Sequence, residues 1–165
     1  AKNYLTGGMA DMAIMATGEL SHSMLEYLPL RDDEMALALP SAHPLAETFR
    51  QKVVDLSLLS GQPFIFNQDG SYLHTFERRI LTAARVSPNV LCEGGGLAAV
   101  RHMVANKKGA AFLPRSMDRN GDGCSFFSLS PPAVFHVVIA YHKSTVLTGP
   151  MRDLIMLLLN VYGER

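Results

Sequence analysis

Residues 90–114 read VLCEGGGLAAVRHMVANKKGAAFLP, and they decide the fold because strand, glycine turn, helix, loop and second strand follow one another without a break. Val90, Leu91 and Cys92 form a short apolar run, and Gly94, Gly95 and Gly96 permit a sharp turn that a Cβ would resist. Leu97, Val100, Met103 and Val104 then recur at spacings of three, six and seven residues, one apolar face of a helix, with Arg101 and Asn106 off that face. Lys107, Lys108 and Gly109 close the helix with positive charge and a residue that tolerates a left-handed cap. Residues 110–113 are apolar throughout, as a strand covered on both faces should be, and Pro114 stops them. The run is a βαβ unit. It predicts an α/β fold whose ligands sit at the carboxyl ends of its strands, here residues 93–96.

Upstream, the same strand-to-helix step occurs once more. Residues 63–66 read as a strand, 67–71 (NQDGS) as a loop, and Ser71 as the N-cap of a helix striped by Leu73, Phe76, Ile80 and Ala84, with Arg78 and Arg79 on its solvated side. Both turns then aim backbone N–H groups at one sheet edge, an arrangement suited to an anion. Before this, Tyr4 and Leu5 read as the last turn of a helix capped by Gly7 and Gly8, and residues 12–15 as a short buried strand ending at Thr17. Leu25, Leu28 and Leu30 lead to a further strand at 35–39, broken by Pro40. Residues 45–49 suggest a helical turn, and Asp55 with Leu56 another. Downstream lie a strand at 126–129, the longest strand candidate at 134–141, and a terminal helix striped by Met151, Leu154, Ile155, Leu158 and Tyr162.

The composition narrows the classes. With 48% hydrophobic and 18% charged residues in 165, the chain can bury a core and is not disordered. Its formal charge is zero and no basic stripe is present, which argues against direct contact with nucleic acid. No run is long enough to span a bilayer and no signal peptide is visible, so a cytoplasmic protein without membrane contact is expected. Cys92 and Cys124 match no zinc spacing and form no CxxC, which predicts two unpaired thiols.

The order GGMADMAI (7–14), LALPSAHPLA (37–46), VDLSLLSGQPFI (54–65), MVANKKGAAFLP (103–114), a long strand and an apolar terminal helix resembles the effector-binding domain of LysR-type transcriptional regulators. Asp11 and Ile14 match the family's G-x-x-D-x-A-I strand. His43, Pro44, Leu45 and Ala46 match its H-P-L-A turn, and Asp55 with Leu56 its D-L helix start. Val104, Gly109, Ala111, Leu113 and Pro114 match its V-x-x-G-x-G-I-A-x-L-P segment. The resemblance implies a type-2 periplasmic-binding-protein-like α/β fold of two lobes joined by two crossing strands. The first lobe, partial here, would comprise residues 1–39 and 139–165, and the second 40–138. A winged helix-turn-helix DNA-binding domain would lie outside this chain.

What the resemblance implies for function is a domain that senses a small, anionic metabolite in an interlobe cleft and so controls a DNA-bound homodimer or higher homo-oligomer. Thr17, Asn67, Gln68, Ser71, Gly94 and Gly95 stand at strand ends that would face the effector, although Thr17 and Ser71 could equally serve only as caps. Glu93 could orient a ligand amine or merely sit at a helix start. Two rivals share the fold: a solute-binding protein and a dehydratase-like enzyme.

No cofactor, metal site or catalytic set is expected. Residues 118–123 (DRNGDG) copy half of a calcium loop, but its twelfth position is Leu129, which offers no carboxylate, so a polar turn is expected. The six histidines form no HExxH and no Cys/His cluster; GGG lacks a following GK[ST], and no serine sits in G-x-S-x-G. A redox pair of Cys92 and Cys124 is disfavoured by their separation and by the βαβ setting of Cys92.

Overall fold

The computed structural model describes residues 1–51, 53–119 and 121–163. In chain order the elements are α1 (Lys2–Thr6), β1 (Met12–Thr17), β2 (Leu25–Pro40), α2 (Pro44–Gln51), β3 (Pro63–Phe66), α3 (Tyr72–Ala83), β4 (Asn89–Glu93), α4 (Gly96–Ala105), β5 (Ala111–Pro114), β6 (Cys124–Phe127), β7 (Ala133–His142) and α5 (Gly149–Gly163). Single 3₁₀ turns follow at Leu56–Leu59, capped by the Asp55 carboxylate on Ser57 N–H, and at Arg115–Met117. The chain divides into two units, Ala1–Asp33 with Val134–Arg165, and Glu34–Ala133.

In the first unit, β1 pairs antiparallel with β7 from Met12↔Tyr141 to Thr17↔His136. Leu5, Leu25 and Tyr27 pack with Val138 and Ala140, and Leu30 with Ile139 and Ile155. Helix α5 is apolar almost all round, yet only Ile155 among its described side chains is buried, and Leu154, Leu157 and Val161 are exposed along one stripe.

The division falls after Asp33 and after Ala133, a few residues before the boundaries at 39/40 and 138/139 expected from sequence. The reason lies in β2. Pro29 and the charged run 31–34 suggest a break, but the strand continues through both, with Pro29 exposed. Charged side chains there find partners within the sheet: Arg31 Nη2 meets Asp33 Oδ2 at 3.2 Å, and Asp32 Oδ1 lies 2.6 Å from His136 Nδ1 on β7. The change of unit is thus hidden inside one strand.

In the second unit, Met35 to Leu39 are wholly inaccessible. Their strand is flanked by β5 on one side (Met35↔Pro114 to Ala38↔Ala111) and β6 on the other (Leu37↔Phe127 to Pro40↔Cys124), both antiparallel. Strands β3 and β4 run parallel, Pro63↔Asn89 to Phe66↔Glu93, and Ala110 bridges Phe64 on the other side of β3. Val100 and Val104 of α4 are buried against Ile65, Ala111 and Leu113, so the stripe anticipated for that helix packs as its spacing requires.

The helix end differs from expectation. The left-handed residue is Lys107, with φ of 59°, and not Gly109. Gly109 is required for another reason: a Cβ there would meet the Pro63 carbonyl oxygen at 2.7 Å, where the backbone of 109–110 lies against β3. In the V-x-x-G-x-G pattern counted from Val104, Lys107 stands at the first glycine.

Candidate functional site

The two strand-to-helix turns of the second unit come together because β3 and β4 are parallel neighbours whose last residues, Phe66 and Glu93, are in register. Gly94 N–H donates to the Phe66 carbonyl at 3.2 Å, tying one turn to the other. Ser71 caps α3, its Oγ accepting from His74 N–H at 3.1 Å, and its own N–H donates to the Gln68 carbonyl at 3.2 Å. Gly94, Gly95 and Gly96 all take positive φ, at 109°, 92° and 70°; Gly95 is the N-cap of α4 and offers no side chain to the N–H groups behind it. Helices α3 and α4 thus begin at the same sheet edge. Their first N–H groups have no partner inside the helix, and both dipoles favour negative charge there.

Of the residues expected at the site, Gln68 and Gly95 are exposed, and Ser71 and Gly94 are half-buried at the two turns. Asn67 is different. It is 2% exposed; its backbone N–H donates to Glu77 Oε1 and its Nδ2 to Glu77 Oε2, each at 2.8 Å, and Nδ2 also reaches the Phe112 carbonyl at 3.0 Å. Its side chain is committed to holding the end of β3 against α3 and β5. Thr17 lies in the first unit, where its hydroxyl donates to the Glu19 carbonyl at 3.1 Å and accepts from Glu19 N–H at 3.3 Å.

Helix α3 turns a different face inward from the one its apolar residues suggest. Its buried residues are His74, Glu77 and Leu81, whereas Leu73, Phe76, Ile80 and Ala84 are only partly covered. Burial pushes the Glu77 carboxyl up to about 8, against the smaller opposing effect of its Asn67 hydrogen bonds. The acid is therefore largely protonated at neutral pH. His74 packs edge-on to Phe66 at 5.8 Å, accepts from Arg78 Nε at 3.1 Å through Nε2, and so presents its Nδ1 proton to Asp69 Oδ1 at 3.3 Å. Arg78 also meets Glu93 Oε1 at 2.5 Å and lies 4.7 Å above the Phe66 ring. Glu93 is thus paired with its neighbour Arg78.

Sequence reading missed His74, Glu77 and Arg78 as parts of this support. The signal was present in the spacing of His74, Glu77 and Leu81, three and seven residues apart, but polar types at the first two positions concealed it. Chemically the turns offer backbone N–H groups, the Ser71 hydroxyl and the Gln68 amide, beside the Asp69 carboxylate that meets His74, groups that can bind and orient a ligand.

The remaining motifs resolve otherwise. In the calcium-like run, Asp118 lies 3.8 Å from Arg115 and Asp122 pairs with Arg101, while Asn120 lies outside the described residues. Among the described residues no group of three or more His, Cys, Asp and Glu could hold a metal ion. Both cysteines are free, and burial raises the Cys124 thiol above its ordinary range. No helix among the described residues is long and apolar enough to cross a membrane.

Comparison with known proteins places these features in a family. Residues 3–163 match the family described as LysR substrate binding domain. The hydrogen peroxide-inducible genes activator of Dickeya chrysanthemi is 29% identical over 154 residues, covering 91% of this chain and 49% of that protein. The HTH-type transcriptional regulator CysL of Bacillus subtilis (strain 168) is 27% identical over 110 residues, 67% of this chain and 36% of the relative. The chain spans about half the length of the first of these relatives or less. Among solved structures, the regulatory domain of Synechocystis PCC6803 CcmR in complex with 2-PG superposes with a TM-score of 0.81 at 16% identity, over 99% of this chain and 78% of that one. The effector binding domain of QuiR in complex with shikimate gives 0.80 at 19%, over 99% and 77%. The fold is the type-2 periplasmic-binding-protein-like α/β fold of these regulatory domains. With nearly its whole length matched and its fold shared, the chain belongs to the LysR substrate-binding-domain family.

Proposed function

We propose that this chain is the effector-sensing part of a LysR-type transcriptional regulator, and that it binds a small anionic metabolite at the paired turns after β3 and β4. The observation that carries the reading is the register Phe66↔Glu93, which sets the starts of two helices side by side. Gln68, Ser71, Gly94 and Gly95 are the contacts; Asn67 positions the turn, and Thr17, in the first unit, is kept as a separate candidate. Binding signals by favouring one of two domain arrangements, and only unequal affinity for the two can transmit it. DNA is engaged through a separate winged helix-turn-helix domain, as a homodimer or higher homo-oligomer, in the cytoplasm.

The family match supports this reading over a solute-binding protein or a dehydratase-like enzyme. At the turns Asp69 meets His74 and Glu93 meets Arg78, pairs made within the protein, and the proposed role is binding without turnover. The test is a thermal-shift screen of organic acids, amino acids and aromatic compounds. An effector at a hundredfold its Kd should add about 2.7 kcal/mol of stability. Gly95→Val should abolish the shift; a ligand whose effect survives that change, or which is chemically converted, would overturn the proposal.

A further inference from the structure

We propose that the second unit carries another binding site, for a small aromatic carboxylate, in the cavity bounded by α2, β6 and the residues that follow each. The cavity holds about 480 Å³, within the range of roughly 300–1,000 Å³ usual for small-molecule pockets. Phe49, Phe126, Phe127 and Leu129 contribute to its lining, each less than a tenth exposed, and the rings of Phe49 and Phe127 meet edge to face at 5.8 Å. An aromatic body suits such walls.

The polar lining is Arg50, Arg115, Ser128 and Ser130, with no acid among the lining residues. The two arginines differ. Arg50 donates to Glu47 at 2.6 Å and to the Ser41 carbonyl at 3.4 Å, and is engaged. Arg115 lies 3.8 Å from Asp118, beyond hydrogen-bonding reach, and among the described residues its guanidinium makes no hydrogen bond. A planar fork of unbonded donors beside an apolar cavity matches a carboxylate attached to a ring. Ser128 is oriented by its hydrogen bond to Glu34 Oε2 at 3.2 Å. The cavity shares no residue with the turns after β3 and β4, so the inference stands apart from the proposed effector site.

The test is a ¹³C-methyl NMR titration with benzoate, repeated with uncharged benzamide. The methyl signals of Val53, Val54 and Leu129 should shift saturably with benzoate, and benzamide should bind at least about tenfold more weakly, as loss of a charge-assisted hydrogen bond requires. Arg115→Gln should weaken benzoate by a similar factor and Arg115→Lys by less. Val53→Glu, at a residue 70% exposed, should weaken it with the rest of the methyl spectrum unchanged. Equal binding of benzoate and benzamide, indifference to Arg115→Gln, or shifts confined to Leu73 and Leu97 beside the two turns would each overturn the proposal.

Discussion

Glu77 accepts two hydrogen bonds of 2.8 Å from Asn67, one from its backbone and one from its side chain, at a position with no solvent exposure. The pair fastens helix α3 to the end of β3 and so sets where the turn at 67–71 points. A carboxyl placed there without these donors would be a heavy cost, and the donors without the carboxyl likewise.

Glu77→Ala should therefore destabilise the protein by about 3 kcal/mol, since two buried donors lose their acceptor. Urea unfolding would show this as a lower midpoint with the slope preserved. A change within about 0.5 kcal/mol, the usual scale of surface substitutions, would mean that Asn67 finds other partners.

The same residue makes stability depend on pH. Its folded-state value, about 8, lies above its ordinary 4.5, so the folded state favours the protonated form. This contribution is fully present below 4.5 and is lost as pH rises from there through about 8. Glu77→Gln carries no charge to titrate. The Tm difference, Glu77→Gln minus wild type, should rise between pH 5 and pH 8; a flat difference would contradict the assignment.

Gly109→Ala should cost about 1–3 kcal/mol, because the new methyl meets the Pro63 carbonyl oxygen at 2.7 Å and the β3 backbone must yield. Lys107→Gly should act in the opposite sense, relieving about 1 kcal/mol of left-handed strain at φ of 59°. Thermal melts of the two variants should move in opposite directions.

Ser71→Ala should cost about 1 kcal/mol through loss of the cap on His74 N–H. It should also weaken any ligand held at the 67–71 turn. Comparing Tm with and without a screened organic acid separates the two effects, and a variant with lower Tm but undiminished ligand shift would assign Ser71 to capping alone.

The thiols should react unequally. Cys124 is 7% exposed and its ionisation is suppressed by burial, whereas Cys92 is half-buried, with its Sγ 3.9 Å from the Met103 sulfur. Iodoacetamide at neutral pH should alkylate Cys92 first, read by peptide mass. Preferential labelling of Cys124 would show that β6 opens more readily than its packing suggests.

Local rules alone were enough for α4 and its surroundings: the stripe through Val100 and Val104, the three glycines at its start, Pro40 and Pro114 as strand stops, and Ser71 as a cap. Each of these depends on neighbours within a turn or two, and the chain carries that information in its spacing. What the tertiary structure decided lies in partners distant along the chain. His74 and Glu77 face inward because Asn67, ten residues before Glu77, and the Phe112 carbonyl beyond it complete their surroundings. Likewise β2 runs on through Pro29 and 31–34 because β7 brings His136 to Asp32, and Gly109 is small because β3 passes against it. Periodicity marks which face can be buried; only the assembled neighbours determine which polar groups and which close approaches that burial can tolerate.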